Sequence, residues 1–230
     1  LRSTDIHPTD YPTVEAVRHM GKLLEERTQG RIKINVFHSA QLGQEKDTID
    51  QTRFGVIDIN RINMAPFNNL IPATNVPSLP FIFRSVEHMR KVMDGPIGDN
   101  LLKDFEKHDL IGLAFYDSGS RSFYNSKKAI STPADMKGMK IRVQQSDMFV
   151  ALVSALGANA TPMPFGEVYS ALQTGVIDGA ENNWPSYEST RHFEVSKFYS
   201  VTEHSLSPEA LVMSKKSFEK FNAADQALIK

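Results

Sequence analysis

Arg142 is the residue of this sequence best placed to grip an anion. It lies in Lys140-Ile-Arg-Val143, where strand alternation sends Ile141 and Val143 to one face and Arg142 to the other, just before Gln144-Gln145-Ser146. A guanidinium at that position can hold a carboxylate through two parallel N–H bonds, whereas a lysine offers only a point charge. Arg121, in Asp117-Ser-Gly-Ser-Arg-Ser-Phe-Tyr124, follows a predicted strand over Leu110 to Tyr116 and could act in the same way. A surface or interdomain salt bridge is the alternative for either arginine. The run Glu181-Asn-Asn-Trp-Pro-Ser-Tyr187 sets the single tryptophan beside two amides. Amides and carboxylates satisfy sugar hydroxyls as donors and acceptors, and an aromatic face covers the C–H side of a ring. The competing reading has Trp184 stapling a helix start that the asparagines cap. His7, at the end of the first predicted strand, could donate to a ligand or lie exposed in a loop.

Other chemistries find little support. The seven histidines, at 7, 19, 38, 88, 108, 192 and 204, show no spacing that a zinc site uses. There is no G-x-S-x-G elbow, no P-loop and no G-x-G-x-x-G, and Ser118-Gly-Ser120 is too short a match to carry a nucleophile. With no cysteine, disulfides, iron–sulfur centres and thiol catalysis are excluded together. Lys plus Arg number 26 against 27 Asp plus Glu, so the net charge of −1 supplies no field for nucleic acid. A charged ligand must be met by local residues, and binding is better supported than catalysis.

The elements that must hold these residues alternate. Val14, Val17, Gly21 and Leu24 keep helical spacing between Pro12 and Gly30, flanked by strands over Leu1 to Ile6 and Ile32 to Val36. Further helices are predicted over Gln44 to Phe54, Ser85 to Met93, Ile97 to His108, Asp147 to Leu156, Phe165 to Thr174 and about Pro185 to His192. Strands are predicted over Val56 to Ile62, Lys140 to Val143, Val176 to Ala180, Tyr199 to His204 and Ala210 to Ser214. This alternation argues for an α/β chain with largely parallel sheets. The proline-rich stretch from Asn63 to Phe83 reads as a long crossing loop. No run of about 18 apolar residues is present. The start admits a processed secretory signal, and the unterminated helix after Asn222 reads as a truncation.

An approximate repeat organises the chain. Phe54-Gly-Val-Ile-Asp-Ile-Asn-Arg-Ile-Asn63 returns as Thr174-Gly-Val-Ile-Asp-Gly-Ala-Glu-Asn-Asn183, with Gly55 matching Gly175, Asp58 matching Asp178 and Asn63 matching Asn183. Two similar α/β halves explain this better than a chance helix-to-strand transition with Gly at its turn. Ligands of open parallel sheets bind beyond the strands' carboxyl ends, so Asn60 to Asn63 and Glu181 to Trp184 are expected to face one another across a cleft.

Taken in order, Gln41-Leu-Gly-Gln-Glu45, Gly119-Ser-Arg121, Asp135-Met-Lys-Gly-Met-Lys-Ile-Arg-Val143, Gly157-Ala-Asn-Ala-Thr-Pro-Met-Pro164, Gly166-Glu-Val-Tyr-Ser-Ala-Leu-Gln-Thr-Gly175 and Asp178-Gly-Ala-Glu-Asn182 resemble the substrate-binding proteins of TRAP (tripartite ATP-independent periplasmic) transporters. The resemblance covers essentially the whole chain and implies a two-domain periplasmic-binding-protein-like fold with a ligand cleft between the domains. It implies a periplasmic receptor, its signal peptide removed, that binds a small organic acid, uses no cofactor and delivers its ligand to integral-membrane permease subunits. The expected domains are 1–120, 121–205 and a strand returning towards the first domain within 206–230. Carried over by motif, Arg142 is the carboxylate clamp, Arg121 a second cation, Phe165 a ring cover, Asn182 a polar contact, and Glu45 and Asn63 first-domain contacts. Asn183, His7 and Arg61 join them through the repeat and the strand ends. The runs Asn60 to Asn69, Tyr116 to Tyr124 and Glu181 to Glu188 are similar to members that take hexuronates such as glucuronate or galacturonate. A C4-dicarboxylate or other organic-acid receptor is the alternative, followed by a lyase or isomerase of an acidic sugar with Glu181 or His7 as base.

Overall fold

The computed structural model describes residues 1–230. Its strands are β1 (Arg2–Thr4), β2 (Asn35–Phe37), β3 (Ile59–Asn63), β4 (Leu110–Asp117), β5 (Arg121–Asn125), β6 (Lys140–Val143), β7 (Asn159–Pro162), β8 (Gly179–Asn183), β9 (Phe198–Ser205) and β10 (Pro208–Ser214). They form two five-stranded sheets, in the orders β2-β1-β3-β10-β4 and β7-β6-β8-β5-β9. Helices connect the strands, so the fold is α/β with two domains. No helix is long and apolar enough to cross a membrane.

The first unit gathers Leu1–Asn63, Lys91–Tyr116 and Glu209–Lys230. Its longest helix, Pro12–Arg27, starts with proline at the first turn, where the missing N–H costs nothing, and buries Val14, Val17, Gly21 and Leu24 as their spacing predicts. Val17, Leu24, Ile32, Ile59, Leu211, Met213 and Phe218 share one apolar core.

The second unit gathers Met64–Arg90 and Asp117–Pro208. The chain therefore interleaves, with Met64–Arg90 in the second unit and Glu209–Lys230 back in the first. Met64–Arg90 belongs with the second unit because Ala65 packs into the core of Phe123, Ile141, Val143 and Phe149. The Asn68 amide meets Ser146 Oγ at 2.8 Å, and Phe81 N–H donates to the His204 carbonyl at 3.0 Å. The stretch expected as a loop is partly helical, with short turns at Met64–Phe67, Pro72–Thr74 and Asn75–Ser78.

The repeat is structural. Gly55 and Gly175 both take the left-handed backbone, at φ 81° and 74°, after their helices. Asp58 N–H donates to the Arg2 carbonyl and Asp178 N–H to the Lys140 carbonyl, at 3.0 and 2.8 Å. In return Asp58 Oδ2 accepts from Arg2 N–H and Asp178 Oδ2 from Lys140 N–H, at 2.7 and 2.9 Å. The basic side chains then reach back to helix-end carbonyls, Arg2 to Val56 and Lys140 to Gly175. Each copy thus fastens its strand, the middle one of its sheet, to the first residue of the neighbouring strand, β1 or β6, with which it pairs in parallel.

Two expectations are corrected, and one strand is added. The strands of the repeat begin about three residues later than expected, because Val56 and Val176 are exposed in the turn while Ile57 and Ile177 alone are buried. The sheets are mixed rather than largely parallel: β10 runs antiparallel to β3, and β5 runs antiparallel to β8 and β9. Arg121, which the sequence places only after the strand Leu110 to Tyr116, is the first residue of a strand of its own, β5. The backbone of β5 lies so close to Gly179 that a Cβ there would stand 2.4 Å from the Tyr124 carbonyl oxygen and 2.7 Å from Asn125 Cβ. Gly179→Ala should therefore destabilise by about 2–4 kcal/mol, lowering Tm by roughly 5–15 °C in circular-dichroism melting; an unchanged Tm would refute this packing.

Candidate functional site

The four first-unit candidates meet around one guanidinium. Arg61 lies mid-strand in β3 with 0% exposure. Its Nε and Nη2 donate to Asp5 at 3.1 and 2.5 Å, its Nη1 to Glu45 Oε1 at 3.3 Å, and Glu209 Oε2 stands 3.4 Å from Nη1. Asp5 and His7 follow directly after β1, and Glu209 enters from β10 opposite Asn63. Glu45 opens the helix Glu45–Phe54, where the positive end of the backbone dipole favours a carboxylate. It accepts the backbone and side-chain N–H groups of Asn63 at 2.9 and 3.1 Å. His7 stacks on Tyr11, with ring centroids 3.7 Å apart, and its Nδ1 lies 3.0 Å from Asp5 Oδ1 and 2.6 Å from Arg61 Nη2. Burial would raise the Asp5 carboxyl, but Arg61 and His7 outweigh it and hold the group well below the usual carboxylate range. Asp5 and Glu209 escaped sequence reasoning, since no motif separates them from the other acids; only their places at strand ends beside the repeat could have marked them.

The second-unit candidates form two arrangements. In the first, Arg121 Nε and Nη2 grip both Glu181 oxygens, at 2.5 and 2.8 Å, and Nη2 also donates to the Glu181 carbonyl at 2.9 Å. Antiparallel pairing of β5 with β8 sets Arg121 opposite Asn183, Ser122 opposite Asn182 and Phe123 opposite Glu181. His204 stacks on Phe123 at 4.3 Å and brings Nε2 to 3.4 Å from Glu181 Oε2. Burial pushes the Glu181 carboxyl up, but the Arg121 charge and the hydrogen bonds of His204 and Arg121 prevail and bring it down to about 2.

In the second, Arg142 projects from β6 between the fully buried Ile141 and Val143, as its spacing predicts. Its Nε and Nη2 donate to the Met163 carbonyl at 3.0 and 2.8 Å, and its guanidinium carbon lies 5.8 Å from the centroid of Phe165. Phe165 in turn packs against His192, with centroids 5.7 Å apart. Burial, and next the positive charge of Arg142, lower the His192 imidazole to about 4. Its Nδ1 shares a hydrogen bond with the Tyr124 hydroxyl at 2.8 Å, and burial keeps that phenol protonated by raising its pKa. His192 is a third residue, after Asp5 and Glu209, that the sequence analysis did not single out. Asn182 Oδ1 accepts from Asn183 N–H at 2.8 Å. Asn183 Oδ1 accepts from Ser186 N–H at 2.9 Å, which makes Asn183 the cap of the helix Trp184–Ser189, the competing reading of that motif. Trp184 is 56% exposed, its ring edge-on to Tyr199 at 5.0 Å.

Residues 4–230 match the model of the DctP family, described as bacterial extracellular solute-binding protein, family 7. A "Solute-binding protein" of Chromohalobacter salexigens is 45% identical over 229 residues, 100% of this chain and 68% of its own length. The 2,3-diketo-L-gulonate-binding periplasmic protein of Escherichia coli is 39% identical over 89% of this chain, and the match spans 62% of that relative. The chain thus spans roughly two thirds of these relatives. Among solved structures, a TRAP periplasmic solute-binding protein from Bradyrhizobium in complex with α/β-D-galacturonate superposes with a TM-score of 0.98 at 57% identity, covering 100% of this chain and 76% of that one. One from Pseudomonas putida with bound D-glucuronate also gives 0.98, at 42% identity and the same coverage.

Two buried groups give the acid stability of the fold a particular shape. A depressed pKa contributes stability that is complete above the unfolded value and is lost as pH falls through the folded one. His192 should therefore remove up to about 3 kcal/mol between about pH 6.5 and 4, and Glu181 should act separately between about pH 4.5 and 2. Chemical-denaturation midpoints measured from pH 8 to 3 should show the upper step in the native chain and its loss in His192→Gln. A variant profile parallel to the native one would contradict this assignment.

Proposed function

The chain belongs to the DctP family of bacterial extracellular solute-binding proteins, the substrate-binding proteins of TRAP transporters, and we propose that it is a periplasmic receptor for a sugar acid, D-galacturonate or D-glucuronate. It hands this ligand unchanged to the membrane permease subunits and catalyses no reaction. The observation that carries the reading is the setting of Arg142. Its guanidinium is fixed near the end of a buried strand by the Met163 carbonyl, and an aromatic ring packs beside it. Relatives of 42–57% identity that hold hexuronates support the ligand class.

In this reading Arg142 takes the carboxylate and Phe165 covers the sugar ring. Asn182, Asn183, Glu45, Asn63 and His7 are proposed polar contacts to the hydroxyls. Arg121 and Arg61 complete the set, each already engaged by carboxylates of its own unit.

A ligand that binds only the folded chain at about 100 times its Kd adds roughly 2.7 kcal/mol. Galacturonate or glucuronate should then raise Tm by roughly 5–10 °C, while glucose and galactose should leave it unchanged. Recovery of the uronate unaltered after incubation separates a receptor from an enzyme, and its consumption would overturn the receptor reading. Arg142→Ala should weaken uronate binding by about 2–5 kcal/mol in calorimetry, and Arg142→Lys should recover only part of the loss. Undiminished affinity in Arg142→Ala would take the carboxylate away from this residue.

A further inference from the structure

One buried acceptor without a donor stands beside the proposed carboxylate clamp. Gln144 is 4% exposed, and its Oε1 receives no hydrogen bond from any group of the chain. Buried side-chain acceptors are nearly always satisfied, so such an exception calls for a donor brought in from outside the chain. Of the buried side-chain atoms in this state, Gln144 Oε1 alone belongs to a residue within two positions of Arg142.

The strand accounts for its place. β6 ends at Val143, and Ile141 and Val143 both pack into the core around Phe149. Alternation carried one residue further sets Gln144 on the side of Arg142. β8 runs parallel to β6 with Ala180 opposite Arg142, so Asn182, two residues on, is the neighbour of Gln144 on that side. Asn182 Oδ1 accepts from the Asn183 N–H at 2.8 Å, and the Asn182 carbonyl accepts from the Tyr199 hydroxyl at 3.1 Å. The first bond settles which end of the amide is held against the main chain and leaves Nδ2 as the end that donates. Two carboxamides thus stand side by side next to Arg142, one set to donate and one lacking a donor, and all three residues belong to the same unit.

We propose that Gln144 is a further specificity-determining residue, its Oε1 accepting a hydrogen bond from the 4-hydroxyl of a bound hexuronate. This rests on the reading of the chain as a hexuronate receptor with the carboxylate on Arg142, and deepens it. In the ring form of a hexuronate the carboxylate is carried by C5. The polar atoms nearest to it are the ring oxygen, which can only accept, and the hydroxyl on C4, which can also donate. Asn182 Nδ2 suits the first and Gln144 Oε1 the second. Galacturonate and glucuronate differ only in the configuration at C4, so Gln144 is also where the two epimers are told apart.

The test is calorimetric titration with galacturonate, glucuronate, their common 4-deoxy analogue and the 4-deoxy-4-fluoro analogue of whichever uronate binds more tightly. In the unaltered chain the 4-deoxy compound should bind at least about 10-fold more weakly than the tighter uronate. The fluoro compound, which can accept but not donate, should be equally weak. Gln144→Met keeps the length of the side chain and removes its amide. In this variant the tighter uronate should lose at least about 10-fold in affinity, the 4-deoxy analogue should change by less than about 2-fold, and the two epimers should draw together. Equal weakening of uronate and 4-deoxy analogue in Gln144→Met is what a purely structural role gives, and it would overturn the proposal. So would a 4-deoxy analogue as tight as the uronate, or a fluoro analogue that restores the affinity; both are read in the unaltered chain and stand even should the variant fail to fold. Absence of binding by either uronate would instead remove the receptor reading itself.

Discussion

A guanidinium without water around it must be neutralised where it stands, and Arg61 and Arg121 impose that requirement on the strand ends of both units. Around Arg121 it fixes the pairing of β5 with β8, because Glu181 reaches the guanidinium only if Arg121 lies across from Asn183. A slip of one residue would send both side chains to opposite faces and strand two buried charges. Around Arg61 it draws together the end of β1, the start of the helix Glu45–Phe54 and the start of β10. Local geometry at each strand end thus follows from charge balance as much as from apolar packing.

Charge balance alone would not hold the strands at the right height, and the repeat supplies that constraint. Asp58 and Asp178 each make two hydrogen bonds to the first residue of the adjacent parallel strand, one through the backbone and one through the carboxylate. The left-handed glycine before each aspartate lets the chain turn sharply from helix to strand. The residues that follow, Arg61 and Asn63 in one copy and Glu181 and Asn183 in the other, are therefore delivered at matching places. Opposite charges occupy those places, Arg61 in β3 and Glu181 in β8, so one backbone device carries two complementary ion-pair arrangements.

Much of this was legible in the sequence, and the failures share a cause. The helix Pro12–Arg27, the strand carrying Arg142 and the repeat came from spacing and turn chemistry, which are local. The strands β5 and β7 did not, because Arg121–Asn125 and Asn159–Pro162 are short and lean on partners distant in the chain. Val-Ile after each repeat glycine imitates a strand, yet only the isoleucine is buried. Motif resemblance brought the arginines forward, but no spacing could reveal that Glu181, Asp5 and Glu209 would take up two of them. Partners of buried charge lie 16 or more residues away from Arg61 and 60 from Arg121, beyond the reach of any local pattern.

The Nε–Nη2 edge of Arg142 is held differently from those of Arg61 and Arg121, which meet carboxylates. The Met163 carbonyl accepts two N–H groups, and the π face of Phe165 adds a modest electrostatic attraction. The nearby imidazole of His192 yields to the same field and stays neutral, so it adds no second positive charge beside the guanidinium. The Met163 carbonyl thereby fixes the orientation of the Arg142 guanidinium, as the Glu181 carboxylate fixes that of Arg121. In the proposed receptor an anion delivered to Arg142 finds a guanidinium whose rotamer is already fixed, so little side-chain entropy remains to be lost on binding.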